Sequence, residues 1–367
     1  MRDVLYVSIV ILAIGTVLWC RRQQKTGRVR VAPYRESLVP ENFWTSCIPA
    51  VAGDRITLLW ILREYLPETR SGSMQTIHDI NRYFFAQGIE VVVVVPESPV
   101  GSYDDIRILQ FHQRFEIEVA LRRTRCICTQ NRVIEAAAQT AKGARKPLII
   151  FSRDDTLEPD IKLAKKITDS GLYLVNCNQV LDRVYRSLQI PSFVIGYPIF
   201  WKEYNTHTTR EYITIFNIDD TVAPLFYRIA RQFPEYKFLG VRSYGDNFNS
   251  SPPANLTLMN FQEDVRAVYA ETGIFCIISP GSGRAGLEAG SSGIPIIACD
   301  TLEIKEALGD GAIYADPEDD NAWVGAIIKL RRNAFFYQES SKAAFNRVKE
   351  LQSAKRLDEL KVFLEEA

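Results

Sequence analysis

The sequence predicts an α/β protein of two parallel-sheet domains facing a cleft, preceded by one N-terminal transmembrane helix. Three observations carry that expectation. Short apolar runs alternate with amphipathic stretches through most of the 367 residues, the mark of repeated βαβ units. The alternation breaks once, at Gly196-Tyr-Pro-Ile and the polar stretch 202–211, and then restarts. At the other end, an uncharged apolar run over residues 4–20 is followed at once by Arg21, Arg22, Lys25, Arg28 and Arg30.

In the first half, strands are expected at 57–62, 90–95, 125–129, 148–152, 172–176 and 193–195. Helices fall between them, near 73–87, 104–121, 132–142, 158–170 and 179–188. The five consecutive valines at 91–95 read as a strand buried on both faces, where continuous apolar runs replace alternation. In the second half, strands are expected at 212–217, 237–241, 256–258, 274–279, 294–299 and 312–314. Helices lie near 223–232, 262–271, 284–291, 303–308 and 319–330, and the tail from 334 to 365 makes one or two more. The chain thus divides into an anchor (1–22), a linker (23–54), a first domain (55–200), a second domain (211–333) and C-terminal helices (334–367).

Composition narrows the function. Lys plus Arg equals Asp plus Glu at 44 each, so no global field draws the protein onto nucleic acid. The seven cysteines are scattered, mostly inside apolar runs, without paired CxxC units or a Cys/His cluster. Neither a disulfide framework nor a structural metal is expected. The apolar run at 4–20 is at the short end of the roughly 17 to 25 residues that span a bilayer. Its basic flank places the body on the cytoplasmic side of a single-pass anchor. Two sequons, at Asn249 and Asn255, would suit a lumenal body instead.

The strongest local feature lies at 274–300. A hydrophobic strand ends at Ser279 and Pro280, Gly281-Ser282-Gly283 form a flexible turn, and a helix opens near Arg284. Exposed N–H groups at a helix N-terminus, with the helix dipole behind them, favour a phosphate. Arg284 could add charge, and Glu288, one turn further, could grip ribose hydroxyls as an acceptor. A competing match is the dinucleotide fingerprint, Gly281-x-Gly-x-x-Gly286 with Asp300 further on. That fingerprint normally opens its domain, whereas three expected strands precede it here. The adjacent carboxylate pairs Asp154-Asp155 and Asp219-Asp220 read as turn or N-cap residues.

The segment 268–330 resembles the nucleotide-sugar-binding half of family-four (group one) glycosyltransferases of the GT-B fold. The matching residues are Val268-Tyr-Ala, Gly283-Arg284, Leu287-Glu288-Ala289, Ser292-Gly-Ile-Pro-Ile-Ile-Ala298 and Glu306-Ala-Leu-Gly309. Upstream, Ile215-Phe-Asn217 with Leu225-Phe, Ile229-Ala and Phe233-Pro is similar to the opening βαβ of that half. In the first domain, Leu66-Pro-Glu-Thr-Arg-Ser-Gly-Ser73, His78 and Ile80-Asn81 are similar to the family's glycine loop and the helix after it. The resemblance implies two Rossmann-like domains, the first facing the acceptor and the second binding the donor. It also implies a retaining transfer of a sugar from a nucleotide sugar to a glycan, lipid or protein acceptor, without metal or cofactor.

On that resemblance the donor-binding candidates are Glu288, Arg284, Gly283, Ser282, Gly281, Arg242, Asn217, Gly72 and Ser73, with no catalytic residue assigned. Three positions depart from the family pattern. Pro280 stands where a glutamate would contact the transferred sugar, and Val222 where a basic residue would face the diphosphate. A histidine usual after the fourth strand of the first domain is replaced by the neighbourhood of Ser152 and Arg153. Two alternatives follow: a glycosyltransferase-like binding or scaffold protein with impaired catalysis, and a dinucleotide-binding oxidoreductase.

Overall fold

The structure is a computed structural model that describes residues 57–367 except 70, 131–132, 154, 169–170, 244–249 and 352. The expected anchor and linker, and the sequon at Asn249, lie outside the described residues. Among the described residues, no helix is long and apolar enough to cross a membrane.

The first domain is an eight-stranded sheet in the order β3-β4-β2-β1-β5-β6-β7-β8. Its strands are β1 (Thr57–Ile61), β2 (Glu90–Val95), β3 (Ser102–Tyr103), β4 (Ile106–Gln110), β5 (Thr124–Gln130), β6 (Leu148–Ser152), β7 (Leu172–Asn176) and β8 (Ser192–Val194). Helices α1 (Gly72–Ala86), α2 (Arg114–Arg123), α3 (Ile134–Ala144), α4 (Glu158–Ile167) and α5 (Gln179–Tyr185) alternate with them. The valine strand β2 sits mid-sheet with every valine buried. Apolar clusters on both faces of the sheet enclose it, with Val91, Val93 and Val95 on one side and Val92 and Val94 on the other.

One expected helix is corrected. Residues 104–121 are not a single helix but an antiparallel β3–β4 hairpin followed by α2. Asp104 and Asp105, between the paired Tyr103 and Ile106, both take positive φ (46° and 65°), as a two-residue hairpin turn requires. The run Ile106-Arg107-Ile108 then alternates buried, exposed, buried, with the period of a strand rather than of a helix.

The second domain is a six-stranded parallel sheet in the order β11-β10-β9-β12-β13-β14. Its strands are β9 (Tyr212–Phe216), β10 (Lys237–Val241), β11 (Leu256–Met259), β12 (Thr272–Ile277), β13 (Ile296–Cys299) and β14 (Ala312–Ala315). A short helix α6 (Trp201–Tyr204) joins the domains. Then follow α7 (Ala223–Arg231), α8 (Val265–Glu271), α9 (Gly283–Gly290), α10 (Leu302–Leu308) and α11 (Asp320–Arg332). In sequence terms this order is 3-2-1-4-5-6, the doubly wound arrangement in which ligands bind beyond the carboxyl ends where the order reverses. The reversal falls between β9 and β12, and in the first domain between β1 and β5.

The tail forms two helices, α12 (Ala334–Glu350) and α13 (Ser353–Glu366). They belong to different cores. Ala344 and Val348 of α12 pack into the second domain, whereas Leu357, Leu360 and Leu364 of α13 are buried in the first. Burying each leucine contributes about 1.5–3 kcal/mol, so the tail fastens the two domains together. The sequon Asn255 is committed structurally: its amide nitrogen donates to the carbonyls of Ala230, Phe233 and Tyr236 at 2.8–3.0 Å. A glycan on that nitrogen would displace these bonds.

Candidate active site

A cavity of about 540 Å³ opens between the two domains at the carboxyl ends of both sheets. From the first domain it is lined by Ser71, Gly72, Ser73 and Arg153; from the second by Asn217, Gly281, Ser282, Arg284 and Glu288. Seven of the nine expected donor-site residues therefore share one cavity.

Each domain delivers a helix N-terminus to it. Helix α1 opens at Gly72, with the Ser71 hydroxyl accepting from the Met74 backbone N–H at 3.3 Å and no acidic residue in the first turn. Helix α9 opens at Gly283 after the turn Pro280–Ser282, with no side chain capping it and again no acidic residue in the first turn. Both ends are therefore electropositive by their dipoles. The Arg284 side chain reaches across to the first helix end: a methyl added to Gly72 would lie 3.8 Å from Arg284 Cδ. At Gly281 an added methyl would meet nothing within 4 Å, so the cavity is open there.

The other expected residues are placed as follows. Gly283 lies just behind the cavity, where an added methyl would come within 3.1 Å of Ala307 Cβ and 3.4 Å of the Tyr197 ring. Asn217 directly follows β9 with φ of 56°, a left-handed conformation in which Asn is enriched, and accepts from the Ser243 hydroxyl at 3.2 Å. Arg242 follows β10 and donates to Asn260 Oδ1 at 2.7 Å, outside the cavity wall.

The charges have a different arrangement from a simple phosphate site. The guanidinium of Arg284 pairs with Asp79 of α1 at 2.6 Å and with Glu288 at 2.7 Å. It also donates to the Tyr204 hydroxyl (2.8 Å), Thr76 Oγ1 (3.0 Å) and the Pro198 carbonyl (3.4 Å). Asp79 is 0% exposed and Arg284 5%, so this is a buried ion pair that bridges the domains. Each Nη and the Nε are thus engaged by protein groups, and the free charge expected of Arg284 for a diphosphate is spent on the domain interface.

Glu288 is drawn into the same network. Its Oε1 accepts from Arg284 Nε and its Oε2 from the Tyr269 hydroxyl at 3.1 Å. Burial raises its carboxyl above the ordinary range, Arg284 opposing that rise and Asp79 adding to it. Each carboxylate oxygen keeps a second lone pair, so a ribose hydroxyl can still be accepted at the cavity wall. One of the three family departures has a structural cause. Val222 is buried in the second-domain core at the start of α7, so no charge fits there. Asp219 accepts from the backbone N–H groups of Thr221 and Val222 at 2.8 and 3.1 Å, the turn role expected of it.

The sequence reading missed Thr76 and Asp79. They lie three apart on α1, and their burial beside Arg284 is a tertiary fact without a local signature. The one available signal was polarity, shared with the buried His78 and Asn81, on a helix that also buries the apolar Met74, Ile77, Ile80 and Phe84. Among the described residues no group of three or more His, Cys, Asp or Glu could hold a metal ion.

Comparisons with known proteins agree with this geometry. Residues 238–333 match the family model described as Glycosyl transferases group 1. No curated protein matches the chain in sequence. Among solved structures, HepE (Alr3699) of Anabaena in complex with UDP-glucose superposes with a TM-score of 0.70 at 13% identity, covering 85% of this chain and 100% of that one. Sucrose-phosphate synthase of Thermosynechococcus elongatus gives 0.65 at 13% identity, covering 84% and 99%. A glycosyltransferase of Rickettsia africae gives 0.66 at 11%, covering 85% and 99%. What these likenesses define is the fold, the GT-B arrangement of two Rossmann-like domains. The stretch that matches the group 1 family model lies within the second domain.

Proposed function

We propose that the cleft binds a nucleoside-diphosphate sugar and transfers its sugar, with retention, to a glycan, lipid or protein acceptor. The observation that carries this is the convergence of two glycine-flanked helix N-termini, one per domain, on a single cavity beyond the strand ends. Transfer develops negative charge on the departing diphosphate, and fixed dipoles of this kind stabilise it without reorganising. Glu288 holds the ribose, and the Gly281–Ser282 turn faces the diphosphate. HepE, whose structure contains UDP-glucose, makes a uridine nucleotide the first donor to try. Retention rests on the family resemblance, and the proposed action at the cytoplasmic membrane face on the apolar, Arg-flanked N-terminus. Removing residues 1–22 is then expected to move the protein from the membrane fraction to the supernatant.

The test of donor binding is a thermal-shift titration with UDP, GDP, ADP and their sugar conjugates. A ligand at 100 times its Kd adds about 2.7 kcal/mol, and each kcal/mol moves the midpoint of a domain this size by about 2–4 °C. A rise with one base, diminished in Glu288→Gln, is the expected result. The commitment of Arg284 to Asp79, together with Val222 and Pro280, favours a second reading, a binding or scaffold module. No rise with any nucleotide would give that reading the lead.

A further inference from the structure

We propose that the positive charge opposing the donor diphosphate comes from the first domain, from Arg153 at the end of β6, and not from the second domain's motif. This rests on the cleft being a diphosphate site, as proposed above.

Three cations line the cavity: Arg153, Arg266 and Arg284. Arg284 is spent on Asp79 and Glu288. Arg266 is exposed on the first turn of α8, where water screens it. Arg153 is different in kind. It directly follows Ser152, the last residue of β6, and so stands at the carboxyl edge of the first sheet. Its Nε is buried, and no hydrogen-bond partner for that atom is found among the described residues. Nor does any carboxylate among them pair with it within 4 Å.

A guanidinium taken from water without a partner costs free energy unless an anion meets it. Burial lowers the affinity of Arg153 for its proton, and the nearby charge of Arg284 acts in the same direction, whereas Cys177, Tyr197 and Asp79 oppose it. Even so, guanidinium stays charged in proteins, so the group remains a cation that lacks an anion. Glu288 is held by Arg284 and Tyr269, and two more acidic groups on the cavity wall are committed elsewhere. Glu203 pairs with Arg82 at 3.1 Å, and Asp264 caps α8 by accepting from the Arg266 backbone N–H at 3.0 Å.

An anion bridging the Gly72 and Gly281 turns would sit on the wall that Arg153 shares. Its chemistry is then set: a diphosphate, whose oxygens accept from two helix ends and bidentately from an Arg fork. The charge absent at Val222 is thus replaced from across the cleft. Because the Arg belongs to one domain and the open glycine turn to the other, diphosphate binding also draws on both domains.

The experiment is calorimetric titration of the full chain with UDP, uridine and inorganic pyrophosphate, in wild type, Arg153→Met and Arg153→Lys, with the unfolding midpoint of each variant measured without ligand. Loss of a charged hydrogen-bonding fork should weaken UDP and pyrophosphate about ten- to a hundredfold in Arg153→Met. Uridine should bind as before, Arg153→Lys should recover part of the loss, and the ligand-free midpoint should not fall. Unchanged UDP affinity in Arg153→Met would overturn the proposal, as would a lowered midpoint with unchanged binding, which would make Arg153 structural. Pyrophosphate binding that depends on Arg153, without any preference for nucleotides, would support the Arg153 site and sink the nucleotide-sugar reading. No binding of either diphosphate by wild type would overturn both.

Discussion

The two halves of the molecule are built alike and charged differently. Both sheets reverse strand order next to a glycine-flanked helix N-terminus, and both turn that end toward one cavity. In the second half the motif charges, Arg284 and Glu288, are hydrogen-bonded into a buried network with Asp79 of the first half. In the first half Arg153 lines the same cavity with a buried Nε that has no partner among the described residues. The lesson is that a motif position fixes where a side chain lies, while its neighbours decide what it does. The family resemblance assigns Arg284 to a donor site, and in the structure it bridges the domains.

The comparison can be broken most forcefully at that network. Arg284→Met leaves Asp79 and Glu288 buried without their cation, and removing one partner of a buried pair costs about 3–5 kcal/mol. Denaturant unfolding should show that loss, and a change under 1 kcal/mol would mean the pair is not what joins the halves. Asp79→Asn combined with Arg284→Met in a double-mutant cycle should give a coupling of about 0.5–3 kcal/mol, since the two groups are in contact. Additive effects would contradict the bridge.

A second crossing between the halves is weaker. Both oxygens of Glu306 in α10 accept from the Gln179 backbone N–H, at 2.7 and 2.8 Å, so a side chain of one domain caps helix α5 of the other. Glu306→Ala should cost about 0.5–2 kcal/mol, the ordinary worth of an N-cap. Thermal unfolding would measure it, and a cost equal to that of Arg284→Met would erase the distinction between core and rim contacts.

The smallest effect is expected in the first domain alone. His78 is buried, bonded to the Tyr65 hydroxyl at 2.8 Å and to Asp104 at 3.1 Å. Burial lowers its pKa below the ordinary 6.5, although Asp104 works against that. The unfolded chain therefore binds the proton more readily. Its contribution to stability is fully present above 6.5 and is lost as pH falls through the lowered value. The unfolding midpoint of wild type should drop between pH 7.5 and 5.5 by more than that of His78→Gln. Equal drops would show that His78 titrates as an exposed residue does.

Sequence periodicity was sufficient for the sheets because parallel strands in a doubly wound fold are continuous apolar runs. Strands 90–95, 148–152, 172–176 and 237–241 coincide with β2, β6, β7 and β10. It failed at 104–121, where the strand signal in Ile106-Arg107-Ile108 is short and the turn depends on two aspartates adopting positive φ. The site was legible as a location, since glycine turns at strand ends are local chemistry. Its wiring was not. The partner that redefines Arg284 is Asp79, 205 residues away, and no local pattern encodes a contact at that separation. The departures at Val222 and Arg153 were visible, but only the structure shows that one is core and the other lines the cleft.

The most direct test is a crystal structure of the full chain with UDP. Diphosphate oxygens are expected within hydrogen-bond reach of Arg153 and the Gly281–Ser282 turn, with Arg284 still paired to Asp79. A diphosphate held by Arg284, with the Asp79 pair broken and Arg153 turned away, would contradict it.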